Sequence, residues 1–212
     1  MKTIARLATL CALLGLALGA SGADNLKYKA KPGGKMRIEG TSTIHDWWAE
    51  STFIGGRLEL DPAFPTDPAN KDLKPGPIKA VANVTILVRT FKCQWGAPMD
   101  AVMQETMEAQ KFDKITFALK ELTFKELKDA ALVCDAKGDL TVHGQTKEVS
   151  LPVTLERPDA KSVTVKGGLG VKMTDYGISP PAPKVALGAI KTGDEVKLNF
   201  EWILAQIPAA GS

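Results

Sequence analysis

The chain has 212 residues, 44% hydrophobic and 24% charged, which fits a single larger globular domain able to bury a real core. Of its 27 basic residues only Lys2 and Arg6 fall in the first 23, which hold no acid, so the remainder carries 25 bases against 24 acids. That near-neutral, mixed-sign balance lacks the footprint a phosphate backbone demands, and no nucleic acid is expected as a partner.

Residues 1–23 have the order of a secretory signal peptide. Lys2 and Arg6 precede an apolar run over residues 7–18, and the small residues Ala20, Ser21 and Ala23 follow. Cleavage after Ala23 is preferred, with Ala20 as the alternative. The run is too short to span a bilayer stably, so no stable membrane insertion is expected, and Cys11 lies too early for a lipoprotein anchor. Residues 24–34 are polar and end in Pro32, Gly33 and Gly34, which predicts a mobile lead-in.

From residue 35 the pattern becomes alternating. The first predicted strand, 35–42, sets Met36 and Ile38 against Lys35, Arg37 and Glu39. The second, 47–60, places Trp48, Ile54, Leu58 and Leu60 on one parity, and Gly55-Gly56 marks a bend or bulge. Residues 61–77 carry five prolines and are expected to leave the sheet. A third strand, 78–88, has Val84, Ile86 and Val88 on one face.

The period then changes. Over residues 97–110, Met99, Val102, Met103 and Met107 recur at three- and four-residue spacing, predicting a short amphipathic helix. The next strand carries Ile115, Phe117 and Leu119, then Leu122 and Phe124, a parity slip that signals a bulge. The stretch 138–155, GDLTVHGQTKEVSLPVTL, reads as two alternating strands folded back through Gly144, Gln145 and Thr146. Strands at 163–173 and 195–204 complete a set of eight, mostly antiparallel, with no βαβ rhythm. An eight-stranded closed sheet has an interior that just holds side chains or one ligand.

Catalytic options are few. His143 is predicted on the solvent side of a hairpin end. His45 and Asp46, adjacent on extended chain, point to opposite faces and cannot form an orienting pair; a structural role for His45 near the barrel mouth is favoured over a metal ligand. No nucleophile elbow, phosphate loop or C-x-x-C occurs, so no enzyme activity, catalytic residue, metal or cofactor is expected. Cys93 and Cys134 remain in a chain expected to reach an oxidising compartment: they pair as a disulfide, or both are small buried hydrophobes.

Several segments, in order, resemble the YceI family of bacterial periplasmic lipid-binding proteins. They are GTSTIHDW at 40–47, KFDKITFALKEL at 111–122, GDLTVHGQTKEVSLPV at 138–153, VKMTDYGI at 171–178 and GDEVKLNFEW at 193–202. Met173 and Thr174 stand where the family often carries a basic residue before the D-x-G. The resemblance implies an all-β fold: an eight-stranded antiparallel lipocalin-like extended β-barrel with one short helical insertion, spanning residues 35–212. It further implies periplasmic location and a polyisoprenoid or similar long-chain amphiphile held in the barrel.

On that expectation the interior and lid residues are Trp48, Ile86, Val88, Phe91, Trp95, Met99, Met103, Met107, Phe117, Leu119, Phe200 and Trp202. The helix is expected to cover one barrel end with Met99, Met103 and Met107 inward, its base fixed by Cys93. Unbranched thioethers repack around a sliding chain at little rotameric cost. A different reading makes the barrel a stress-response or interaction scaffold that docks a protein through the 61–77 excursion and the helix. A homodimer is left open.

Overall fold

A computed structural model describes residues 25–62, 73–182 and 190–208. Strand segments run β1 (Leu26–Ala30), β2 (Lys35–Ser42), β3 (Trp47–Ser51), β4 (Gly55–Leu60), β5 (Gly76–Ile78), β6 (Ala80–Leu87), β7 (Lys92–Cys93), β8 (Lys114–Lys128), β9 (Ala131–Val142), β10 (Gln145–Asp159), β11 (Ser162–Lys172) and β12 (Thr192–Gln206), with helix α1 (Ala97–Thr106) between β7 and β8.

These segments join into eight staves. β1 and β2 both lie along one edge of β12, Tyr28 opposite Gln206 and Ile38 opposite Leu198, so they form one kinked stave. β3 and β4 pair with β2 and β1 in turn and make the second. β6, a 3-10 turn at Val88–Thr90 and β7 make the third. The long strands β8 to β12 follow as a meander, and the β1–β12 pairing closes the ring. Closure removes the sheet edges that would otherwise pair with other chains. The expected eight-stranded antiparallel barrel is the fold.

Local chemistry explains the curl. Gly56 sits at φ +135, where a Cβ would run into the Asn83 carbonyl, so only glycine lets the second stave bend against the third. β8 shifts register between Leu119 and Glu121 and again between Phe124 and Glu126, which is the predicted parity slip.

Three expectations are corrected. The lead-in at 24–34 was read as mobile from its polarity, yet β1 lies inside it: Tyr28 is fully buried and closes the barrel seam between β4 and β12. The excursion at 61–77 is not wholly outside the sheet, since Gly76–Ile78 pairs with β8 opposite Phe124 to Leu122. The third stave leaves its strand after Leu87, so Val88 lies in the 3-10 turn and no longer follows the parity of Val84 and Ile86. The signal-peptide reading and most of the 61–77 stretch fall outside the described residues.

One barrel end is packed shut. Tyr28, Leu60, Leu204 and Val163 are essentially without exposure there. On the outer wall, Lys120 bridges Asp139 and Glu148 at 2.6 and 3.1 Å, and Lys137 reaches Glu148 at 2.9 Å. Such exposed pairs contribute roughly 0–1 kcal/mol each and chiefly keep the outer face wet.

Candidate functional site

The barrel interior is not filled. An inner chamber of about 120 Å³ lies in mid-barrel, lined by apolar side chains apart from Thr116. A second, of about 140 Å³, lies under α1 at the other end from the closed floor. Ile115 and Leu198 line both, so the two chambers lie on either side of the same side chains.

The inner chamber is built by strand alternation. Of the expected lining residues, Ile86, Phe117, Leu119, Phe200 and Trp202 all face it. Their neighbours include Met36, Leu58 and Leu140, from staves that reach the same depth. Branched residues and rings on a hydrogen-bonded wall have few rotamers, so this chamber has a set shape.

The helix chamber is lined by Met99, Met103 and Met107, with Trp95 and His45 at its rim. α1 thus covers the barrel end with Met99, Met103 and, at its C-cap, Met107 on the chamber side. Trp95 is 41% exposed and its ring lies 4.1 Å from that of His45, which places both on the rim as an aromatic pair. Asp46, next in sequence in the connection between β2 and β3, lines a groove on the outside instead.

What ties α1 down is a carboxylate that the sequence reading passed over. Asp100 is 8% exposed; its Oδ1 accepts the Cys93 backbone N–H at 2.7 Å and its Oδ2 accepts Lys92 Nζ at 2.9 Å. The N–H of Cys93 and then the lysine hold its carboxyl below the usual carboxylate range. An acid in the first turn behind a proline was the available signal, since it also suits the helix dipole.

Three expected members do not belong to a chamber. Trp48 faces outward, stacked 4.3 Å beneath the Arg37 guanidinium, because the break at residues 52–54 shifts parity. Ala49 and Ser51 point inward instead, and Trp47 lines the helix chamber. Val88 and Phe91 are fully buried, at 0% and 1% exposure, but pack at the 3-10 turn outside both chambers. Of the two alternatives left open for Cys93 and Cys134, the structure has them unpaired: both cysteines are free, Cys134 buried and Cys93 partly so. Cys93 pairs with Ala49 beside α1, whereas Cys134 sits between Phe124 and Val153 on the wall.

Burial also sets the reactivity of both thiols. Burial, then Asp100, pushes the Cys93 thiol up to about 11, and burial pushes Cys134 to about 12. Neither is a ready nucleophile. Cys93 Sγ lies 3.8 Å from Met103 Sδ and 3.5 Å from the Met99 carbonyl, so it packs against the base of the helix as the reading anticipated, by contact instead of by a bond.

His143 also departs from its solvent-side reading. Its backbone adopts φ +50, which folds the ring back to 12% exposure. Nδ1 donates to the Tyr176 carbonyl at 3.2 Å, the Phe112 ring lies 4.4 Å away, and Nε2 is 3.4 Å from Glu108 Oε1 without hydrogen-bond geometry. It therefore pins the β9–β10 turn to the 3-10 turn Thr174–Tyr176, whose Tyr176 lines the helix chamber. Among the described residues no group of three or more His, Cys, Asp or Glu is placed to hold a metal, and no helix is long and apolar enough to cross a membrane.

A closed antiparallel meander with an apolar, partly empty interior and a helix over one end belongs to the class of lipocalin-like β-barrels. The chain belongs to the YceI-like family: the model of the YceI-like domain matches residues 34–204. The fold is similar to that of BcnA from Burkholderia cenocepacia, at 18% identity and TM-score 0.60, covering 80% of this chain and 95% of that one. It is also similar to a polyisoprenoid binding domain from Saccharophagus degradans implicated in plant cell wall breakdown, at 14% identity and TM-score 0.60, covering 86% and 99%. A Campylobacter jejuni YceI protein follows at 18% identity and TM-score 0.53, covering 76% and 85%. None of the curated proteins compared matches the sequence.

Proposed function

We propose that this protein is an exported, non-enzymatic carrier that holds a polyisoprenoid or similar long-chain amphiphile in its barrel. The observation that carries this reading is the pair of apolar chambers that share Ile115 and Leu198 as a common wall. A filled core would leave no such space, because interiors normally pack to the density of organic crystals. Family membership and the fold shared with a polyisoprenoid binding domain support the class of ligand.

Burying a chain in these chambers is worth about 0.8 kcal/mol per methylene, so a few isoprene units supply useful affinity without any charged contact. α1 is the movable part. It is held at one end by Asp100 and presents thioethers to the chamber, so it can repack as a chain slides past. The amino-terminal 23 residues, with their signal-peptide order, direct the protein to the periplasm in this reading.

The test is native mass spectrometry and lipid extraction of protein purified from periplasm. A bound long-chain molecule displaced by added prenyl alcohol is the expected result. Protein recovered without lipid and unable to take up a prenyl chain in vitro would overturn the reading.

A further inference from the structure

Outside the barrel wall lies a groove of about 880 Å³, formed by the outer faces of β2, β3, β11 and β12 together with Gln94. Its floor is shared with the helix chamber. Trp47, Val171 and Val196 line both spaces, so a single layer of side chains separates the polar groove from the apolar interior. Trp47 is the largest member of that layer. Its ring lies flat over Gly40, where a Cβ would take its place, and its Nε1 donates to the Thr41 carbonyl at 3.1 Å.

The charges on the groove decide what it can hold. Its cations are Arg37, Lys172 and Lys197, and its carboxylates are Glu39, Asp46, Asp175 and Glu195. Arg37 is already committed: Nε meets Glu39 at 2.8 Å, a terminal nitrogen lies 3.7 Å from Glu50, and the guanidinium covers the Trp48 ring. Lys197 sits opposite Glu39 and Lys172 opposite Glu195 in the strand registers. Each cation therefore has a carboxylate neighbour, and a phosphate entering the groove meets more negative than positive charge. Phosphate recognition favours Arg or Lys donors clear of carboxylates, and here Arg37 is ion-paired while Lys172 and Lys197 each face a carboxylate across a strand register. What it offers is uncharged hydrogen-bonding capacity from Thr41 and Gln94, charged groups able to bond hydroxyls, and indole surface at Trp47 and Trp48.

We infer that this groove seats a neutral, hydroxyl-rich head group, such as a sugar or polyol, belonging to the same amphiphile whose chain enters the chamber under α1. The inference rests on the chain-binding reading and specifies the end of the ligand that stays outside. Trp47 is the point where chain and head group part, and a small movement of its ring joins the two spaces.

The test compares three probes that share a dodecyl chain and differ in head group: glucoside, phosphate and plain hydroxyl. Each is titrated below its micellar concentration by calorimetry into the full mature chain at fixed salt. The glucoside is expected to bind about tenfold more tightly than the phosphate, the difference that one or two satisfied hydrogen bonds supply. Gln94→Ala, an exposed position, is expected to reduce the glucoside's advantage over the plain hydroxyl while leaving dodecanol binding unchanged. Equal or tighter binding of the phosphate overturns the head-group assignment alone. A glucoside advantage indifferent to both Gln94→Ala and Trp48→Ala overturns its placement in this groove. If no dodecyl chain binds at all, the chain-binding reading fails first and the head-group site with it.

Discussion

The two chambers of the barrel are similar in volume and opposite in construction. The inner one is walled mainly by branched aliphatic residues and rings on strands whose backbones are hydrogen-bonded on both sides. The outer one is roofed by a helix of 10 residues that offers Met99 and Met103, with Met107 at its C-cap, and is anchored through Asp100. Strand-built space keeps its shape and sets what fits; helix-built space yields and sets what gets in. The division follows from rotamer freedom alone, since thioethers hop between wells that branched side chains do not share.

The largest effect is expected where the inner chamber's floor is removed. Leu204, with no exposure, packs at the closed end beside Ala30 and Val163. Leu204→Ala should cost about 2–5 kcal/mol through lost burial and a cavity. The midpoint of thermal unfolding should fall by roughly 5–15 °C for a chain of this size. A loss under about 1 kcal/mol would show that the floor collapses freely and does not set the chamber's shape.

A second substitution separates entry from stability. Met103→Glu places a carboxylate on the chamber side of α1, where a passing chain would have to desolvate it. Uptake of a prenyl alcohol should drop about tenfold or more, while the melting point of the empty protein changes little, because Met103 is only half-buried and the new carboxylate can turn to solvent. Parallel losses in both would make the helix plain packing.

The anchor gives the comparison a pH signature. Hydrogen bonds from Cys93 and Lys92 hold the Asp100 carboxyl below its ordinary value near 3.9, so its contribution is complete above that value and is lost as pH falls through the lower folded one. Amide exchange in α1 should therefore rise below about pH 4 while β9 and β10 stay protected. Asp100→Asn should show faster α1 exchange already at pH 7, at a cost of about 1 kcal/mol, and no further acid step.

How far the sequence carried follows the same divide. Alternation exposed the inner chamber because a strand's period is 2 and the wall is continuous, so Ile86, Phe117, Leu119, Phe200 and Trp202 were placed correctly from parity. Parity failed at Trp48, where the break at residues 52–54 resets the count and hands the chamber to Trp47. Helical spacing found the three methionines. The short alternation of Leu26, Tyr28 and Ala30 with Lys27 and Lys29 was the available sign of β1, but composition could not reveal that it would complete the barrel seam, nor that Asp100 would reach back to a backbone N–H, because both depend on partners distant in the sequence or around a turn. The choice between a disulfide and two unpaired cysteines stayed open in the sequence for the same reason: two cysteines in a chain predict nothing about separation until the register places one beside α1 and the other in the wall.

The smallest expected effect lies at the floor and has the opposite sign. Tyr28 is fully exposed to nothing but protein, yet its hydroxyl finds no hydrogen-bond partner among the described residues. Burial also raises its ionisation above the ordinary value of 10.0, so the group stays neutral across physiological pH and draws no benefit from Arg157, which acts in the other direction. A buried donor left unmade costs about 1–3 kcal/mol against its hydrated state, and an isosteric apolar ring does not incur that cost. Tyr28→Phe should therefore leave the barrel as stable or raise its melting point by about 2–4 °C, with chain uptake unchanged because Tyr28 lines neither chamber. A clear loss of stability would mean that the hydroxyl is satisfied in solution and that the floor is a wetter structure than its apolar neighbours Leu60 and Leu204 imply.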